Sequence, residues 1–287
     1  MFKVAILGCE NSHASTFIND VLNGKLVDDV EFVGVYSDNM EAAKKLQEKY
    51  GVPAADSYDA FVGKVDGIII TARHGDNHYK FAKPYIASGI PLFIDKPITC
   101  TEEDAKAFMD ELKAHNVPVT GGSVCVLSDY VQELKKAVQE GTYGKVLGGF
   151  VRAPFLSDEQ NGGFYFYAQH LVSVMMEIFG NYPKSVQTVQ NGDTITGIVR
   201  YEDFDVSISY VTRNYIYYAG ISCEKNVIGA EYKVDKFKEE FLLFHELLHG
   251  KSQRQSYEDF FAPVYIMNAI EKSLQTGKEE PIRYFHD

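Results

Sequence analysis

The chain has 287 residues, 45% of them hydrophobic and 24% charged, which excludes a disordered protein and predicts two domains at roughly 100–200 residues each. The net charge is -12, from 40 acidic and 28 basic residues. No cluster of Lys and Arg is present to neutralise phosphates, so nucleic acid is excluded as a partner, and the excess of carboxylates repels an anionic membrane surface. No apolar run reaches the roughly 18 residues of a membrane helix. Cys9, Cys100, Cys125 and Cys223 form no Cys-x-x-Cys pair, so neither a disulfide framework nor a zinc ribbon is expected. Met1 leads directly into an apolar strand without the features of a signal peptide, and the expected compartment is the cytoplasm.

Phe2 to Leu7 reads as a buried strand ending at Gly8, followed by a helix over 12–22 with Phe17, Val21 and Leu22 at helical spacing. A strand over 31–36 and a helix over 40–50 come next, the latter with Gly51 as its stop. Residues 66–71, 91–95 and 118–123 are further apolar strands, and helices are expected over 77–88 and from Thr101 to about His115. Thr101-Glu102-Glu103-Asp104 has the form of a capping box. Strands that are apolar throughout, alternating with helices, predict a parallel sheet covered on both faces and wound by right-handed crossovers. After Ser123 the pattern changes. Helices are expected over 128–139 and 164–179, then a β-rich stretch over 185–234 with turns at Asn191-Gly192 and Glu202-Asp203, then helices over 235–249 and 257–275. Val206, Ile208 and Tyr210 alternate with Ser207 and Ser209, as in a sheet with one buried face. The expected architecture is α/β: a Rossmann-type doubly wound domain over 1–122 and an α+β domain with a mainly antiparallel sheet over 123–287, which binds substrate and mediates oligomerisation.

A strand that ends in Gly8 and feeds a helix is where such a fold holds pyrophosphate, by exposed N–H groups and the positive helix end. The fingerprint for that loop is Gly-x-Gly-x-x-Gly. Here the loop reads Gly8-Cys9-Glu10-Asn11-Ser12-His13-Ala14, with Glu10 at the second glycine position. Its carboxylate would hinder close approach and repel phosphate, while Asn11 and Ser12 could supply capping or hydrogen-bonding groups. At the end of the second strand, Ser37 holds the position of the acid that binds the adenosine ribose of NAD, and Asp38 follows it. Asp38 disfavours the extra phosphate of NADP, or else serves as a helix N-cap.

Ile94-Asp95-Lys96-Pro97 ends the fourth strand at the sheet's carboxyl edge. With the elements before it, this segment resembles the glucose–fructose oxidoreductase/inositol dehydrogenase (Gfo/Idh/MocA) family, which carries Glu-Lys-Pro there. The exit of the third strand, Thr71-Ala72-Arg73-His74, leads to His78 at the position of the family's histidine, without the preceding proline. In the second half Gly162-Gly163 and His170 match the family, while Phe166 stands where the family has an aspartate. The resemblance implies an NAD- or NADP-dependent enzyme, NAD preferred, that transfers hydride between nicotinamide and a hydroxyl or carbonyl of a sugar, polyol or related small molecule. It implies a cofactor surface of Gly8, Asn11, Ser12, His13, Ser37, Asp38, Thr71, Arg73, His78, Asp95, Lys96 and Pro97. His170 would take the hydroxyl proton, and Lys96, its pKa lowered by burial, would stabilise charge on the same oxygen. Tyr167, three residues before His170 on one helix face, would replace the missing aspartate as its partner, or simply pack in the core. The alternative is a non-catalytic nucleotide- or sugar-binding regulatory protein of the same fold.

His245-Glu246-Leu247-Leu248-His249 matches the zinc-protease pattern His-Glu-x-x-His, with Glu271 as a conceivable third ligand. Phe241, Phe244, Leu247 and Leu248 account for the segment as an amphipathic helix, and no metal is expected. Tyr201, Tyr210, Tyr215, Tyr217 and Tyr218 place aromatics on the second domain's sheet, and a homodimer or homotetramer through that sheet is expected.

Overall fold

The computed structural model describes residues 1–156 and 162–285. The chain divides into two compact units: Met1–Gly122 with Phe237–Phe260, and Ser123–Lys236 with Phe261–Asp287. The chain leaves the first unit after residue 122, but the segment 237–260, assigned on sequence to the second domain, belongs to the first.

In the first unit β1 (Phe2–Leu7), β2 (Val30–Tyr36), β3 (Gly67–Ile70), β4 (Leu92–Asp95) and β5 (Val119–Gly122) form a parallel sheet in the order β2-β1-β3-β4-β5. The helices between them are α1 (Ser12–Leu22), α2 (Met40–Tyr50), α3 (Asp76–Ile86) and α4 (Glu102–Ala114). The central strands β3 and β4 are buried along their whole length, as continuous apolar runs require. Beyond β2 the chain makes one further parallel bridge, Val35 to Ala54, held by Val35 N to Pro53 O at 2.8 Å and Ala55 N to Val35 O at 2.9 Å. Counted as a strand, that bridge gives the order 3-2-1-4-5-6 of a dinucleotide-binding sheet. At the start of α4 the Thr101 hydroxyl accepts from Asp104 N at 3.1 Å, so the cap expected there forms.

The returning helix α7 (Phe237–Leu248) completes this unit's core. Phe241 and Phe244 are fully buried among Phe17, Phe32 and Phe93. The Phe17 and Phe241 rings lie 5.6 Å apart, and those of Phe93 and Phe244 6.3 Å. Gly67 on β3 makes room for the helix: a Cβ there would stand 2.7 Å from Leu248 and 2.8 Å from Phe244.

The second unit opens with a short 3-10 turn (Val124–Leu127) and α5 (Asp129–Gln139). Its sheet comprises β6 (Val146–Pro154), β7 (Ser185–Asn191), β8 (Thr194–Arg200), β9 (Asp205–Val211), β10 (Tyr217–Cys223), β11 (Val227–Tyr232) and β12 (Glu280–Pro281). The order is β11-β10-β6-β9-β8-β7-β12, antiparallel except for the parallel β6/β9 pair. Helix α6 (Gly163–Phe179) is buried nearly all round, and α8 (Tyr257–Thr276) carries the chain out of the first unit. On β9 the expected alternation holds, with Val206, Ile208 and Tyr210 buried. Tyr210 is therefore not on an open face: it is fully buried, its hydroxyl donating to Ala168 O on α6 at 3.0 Å. Among the described residues, no helix is long and apolar enough to cross a membrane.

Candidate active site

The carboxyl ends of β1 to β4 bring together most of the residues marked out by sequence. Gly8, with φ +73°, turns the chain out of β1, and its N–H donates to Tyr36 O at 2.8 Å. A Cβ at Gly8 would lie 2.4 Å from Ala72, so only glycine lets the β1 and β3 exits pass this closely. Thr71 closes the same junction, its hydroxyl donating to Gly8 O at 3.1 Å. Asn11 is the N-cap of α1 by position, but its side chain makes no cap bond; Nδ2 donates instead to Asp95 Oδ2 at 2.9 Å. The first-turn N–H groups of α1 thus have no side-chain cap at the edge where a dinucleotide fold takes pyrophosphate. Ser12 is exposed at the head of α1, its hydroxyl 3.4 Å from Asn11 Oδ1.

Glu10 does not project freely from the loop. Its carboxylate accepts from the Ser37 hydroxyl at 2.6 Å and from Arg73 N at 2.9 Å, tying the ends of β1, β2 and β3 together. Ser37 is engaged by Glu10 and by Asn39 N at 3.0 Å. Asp38 is half exposed, accepts from the Tyr36 hydroxyl at 2.6 Å and lies 3.5 Å from Lys80 Nζ. The N-cap position of α2 falls to Asn39, so Asp38 is not that cap. Burial and the neighbouring Asp38 push the Tyr36 phenol up to about 12. His78 is fully buried, with Nε2 2.8 Å from Ala72 O, and burial lowers its pKa; a neutral ring donating from Nε2 supports the β3 exit from behind.

Asp95, Lys96 and Pro97 follow at the end of β4, with a cis peptide bond between Lys96 and Pro97. Asp95 is fully buried. It accepts from Asn11 and from Lys96 N at 2.7 Å, and its Oδ2 lies 3.0 Å from His13 Nδ1, in range but poorly aligned for a hydrogen bond. Burial alone would raise this carboxyl, but His13, Lys96 and the hydrogen bonds hold it at about 2. Lys96 is only 3% exposed. Sequence reasoning missed Glu240 on α7, 2% exposed with no hydrogen-bond partner on either oxygen among the described residues. Burial, and then the charge of Asp95, raise its pKa well above the ordinary carboxyl value. Burial thus favours the neutral form of Glu240, which lies close enough to Asp95 and Lys96 to feel both charges. No sequence signal joins α7 to β4.

A folded-state pKa above the unfolded value contributes stability that is present below the unfolded pKa, about 4.3 for Glu, and is lost as pH rises toward the folded pKa. Glu240→Gln removes that loss. The variant is expected to gain on the parent as pH rises from about 4 to 8, by at most about 1.4 kcal/mol per pH unit. Thermal unfolding across that range measures it, and a difference that stays flat contradicts a neutral Glu240.

In the second unit His170, on α6, is buried, with Nδ1 2.7 Å from Ser123 Oγ and 3.3 Å from Cys125 Sγ. Cys125 N donates to the same Ser123 oxygen at 3.3 Å. Tyr167 meets His170 through its ring, edge-on at 5.9 Å, and Tyr217 does so at 6.0 Å. Nδ1 thus meets Ser123 Oγ and Cys125 Sγ, while Tyr167, the partner expected on sequence, is placed with its ring edge against the imidazole. Ser123 could have been found from its place directly after β5, the position Lys96 holds after β4.

The two histidines of the His-Glu-x-x-His segment both meet a carboxylate that spacing did not suggest. His245 Nε2 lies 2.6 Å from Asp29 Oδ1, and His249 Nε2 lies 2.8 Å from Asp29 Oδ2. Glu271, the expected third group, accepts instead from the Tyr165 hydroxyl at 2.7 Å in the second unit.

Residues 2–123 match the model of an oxidoreductase family described as having an NAD-binding Rossmann fold. Inositol 2-dehydrogenase of Klebsiella pneumoniae subsp. pneumoniae is 30% identical over 129 residues, 44% of this chain and 37% of that protein. Such alignments span less than half the length of the curated relatives they match. Among solved structures, myo-inositol 2-dehydrogenase from Lactobacillus plantarum superposes with a TM-score of 0.85 over 98% of this chain and 99% of that one, at 14% identity. The WlbA dehydrogenase from Bordetella pertussis, in complex with NADH and UDP-GlcNAcA, superposes with a TM-score of 0.83 over 99% of each chain, at 18% identity. These likenesses show the fold.

Proposed function

From the match of residues 2–123 to the Gfo/Idh/MocA oxidoreductases, we propose that the protein is a member of that family, a nicotinamide-dependent oxidoreductase acting on a CH–OH group of a sugar, polyol or similar small molecule. The observation that carries the reading is the burial of Asp95 and Lys96 at the carboxyl end of β4, with Asp95 accepting from Lys96 N and from Asn11 of the phosphate-loop region. The residues present fit a dinucleotide: a glycine at the close β1/β3 approach, a first helical turn without a side-chain cap, and polar groups at four strand ends. Bound there, the nicotinamide supplies a two-electron hydride acceptor.

Oxidation of the alcohol breaks its C–H bond, with the electron pair leaving as hydride, and its O–H proton passes to a base. His170 is that base in this reading. In the tautomer this reading requires, Nδ1–H donates to Ser123 Oγ, 2.7 Å away, and the Nε2 lone pair takes the proton. Lys96 stabilises negative charge developing on the substrate oxygen. Asp95 and Asn11 position Lys96, and His78 and Thr71 shape the β3 exit. The carboxylates of Glu10 and Asp38 at the end of β2 repel a 2′-phosphate, which favours NAD over NADP.

A homodimer or homotetramer through the second unit's sheet is part of the same reading. It is supported by exposed Val189 and Ile198 on adjacent strands and by Val227 on β11, and light scattering that returns the mass of one chain would remove it. Four free cysteines accord with a reducing cytoplasm.

Titration with NADH and NADPH, followed by nicotinamide fluorescence, tests the proposal. The expected result is saturable binding, tighter for NADH. No binding of either at millimolar concentration sinks the enzyme and favours a non-catalytic binding protein, the reading to which Glu10 in the phosphate loop lends weight.

A further inference from the structure

We propose that Asp29, His245 and His249 form a site for a divalent transition-metal ion, zinc by preference, at the amino end of the first unit's sheet. The site lies away from the strand ends that carry Gly8 and Lys96, and nothing in the oxidoreductase reading uses it. The two imidazoles stand four residues apart, His245 on α7 and His249 one residue past its end, where His249 N still donates to His245 O at 3.2 Å. Asp29 immediately precedes β2, and its backbone oxygen accepts from Phe2 N at the start of β1 at 2.6 Å. Both Nε2 atoms converge on its carboxylate, and the three donor atoms lie within 4.8 Å of one another. Zinc at about 2.0–2.1 Å from nitrogen and oxygen donors holds tetrahedral neighbours about 3.3 Å apart. The present separations, 2.6 Å from His245 Nε2 to Oδ1 and 2.8 Å from His249 Nε2 to Oδ2, have to open by well under an ångström, and donor atoms up to 4.8 Å apart have to draw in by at most about 1.5 Å.

The frame is built for this. Phe241, one turn before His245, and Phe244 fix α7 in the core, and the His249 ring rests edge-on against Phe2 at 4.9 Å. The His249 side chain remains 47% exposed, which leaves an entry path and room for a water as fourth ligand. Two imidazoles and one carboxylate suit zinc, nickel or copper and offer little to magnesium or calcium. Glu246, which would serve as base in a zinc peptidase, pairs with Lys251 Nζ at 2.8 Å. The ion is therefore assigned to fastening α7 to the start of β1 and β2, without a hydrolytic role.

The test is zinc chloride added to the chelator-stripped full-length protein, in competition with a chromophoric chelator, with cobalt chloride as a spectroscopic probe. One equivalent per chain, bound in the micromolar range or tighter, is expected. Tetrahedral cobalt absorption should appear, and Tm should rise by about 5 °C with zinc at a hundredfold excess over Kd. His249→Gln, at an exposed position that tolerates change, and Asp29→Asn should each weaken binding at least about tenfold while leaving NADH affinity unchanged. No binding in the micromolar range, or stoichiometric binding indifferent to both substitutions, overturns the proposal.

Discussion

Replacing Lys96 with alanine is expected to lower kcat by about a hundredfold to a thousandfold, the scale of losing one preorganised group that stabilises charge in the transition state. NADH affinity should stay within a few-fold of the parent. The reason for the split is local. Asp95 keeps Asn11 Nδ2 at 2.9 Å and His13 Nδ1 at 3.0 Å after the substitution, so the wall between the phosphate loop and β4 survives. The substitution removes the ammonium group, whose proposed role is at the substrate oxygen, together with its buried methylene stem. Lys96→Met, which keeps most of the volume, separates lost charge from lost packing and should be equally slow. Turnover within tenfold of the parent in both variants would assign Lys96 to structure alone. The experiment requires the cofactor-binding result above and reads a different quantity, so the two can fail separately.

The second large effect concerns stability. Phe241→Ala is expected to destabilise the protein by about 3–5 kcal/mol, the range for removing a large aromatic ring from a packed core. Against a total of about 5–15 kcal/mol for a natural domain, that is a substantial fraction. Phe241 is fully buried, and its ring faces those of Phe17 at 5.6 Å, Phe32 at 6.4 Å and Phe244 at 6.3 Å. Urea unfolding would show a lower midpoint with an unchanged slope, and an unaltered midpoint contradicts the account. A protein cut after Gly122 should fare worse still, because Phe17 and Phe93 then lose both Phe241 and Phe244 as neighbours.

The nucleotide-type sheet was legible because its strands announce themselves: Val4 to Leu7 and Ile68 to Ile70 are apolar at every position and bounded by glycine. β6 was not. Gly148, Gly149, Arg152 and Pro154 dilute its pattern, yet it is an interior strand, paired with β10 on one side and β9 on the other. The apolar stripe of α7 was read correctly as one buried face. Periodicity states that a face is buried, not which core receives it, so 237–260 was placed with the wrong unit. The same limit applies to the candidate site. Gly8, Asp95 and Lys96 follow from position at strand ends. Glu10 as a clasp, Ser123 on His170, Glu240 near Lys96 and Asp29 between two histidines are meetings between elements far apart in sequence, which spacing within one segment does not encode.

The first unit is discontinuous, and this bears on how the chain is made. At about 5–20 residues per second, translation finishes the five-stranded sheet roughly ten seconds before α7 leaves the ribosome. Throughout that interval Phe17, Phe32 and Phe93 lack the rings of α7, and residues 123–236 of the second unit must be synthesised before that cover arrives. A nascent chain stalled short of residue 237 is therefore a sticky, half-finished object, the kind of species that chaperones hold. The codons for residues 237–260 thus govern whether residues 1–122 yield a properly covered product.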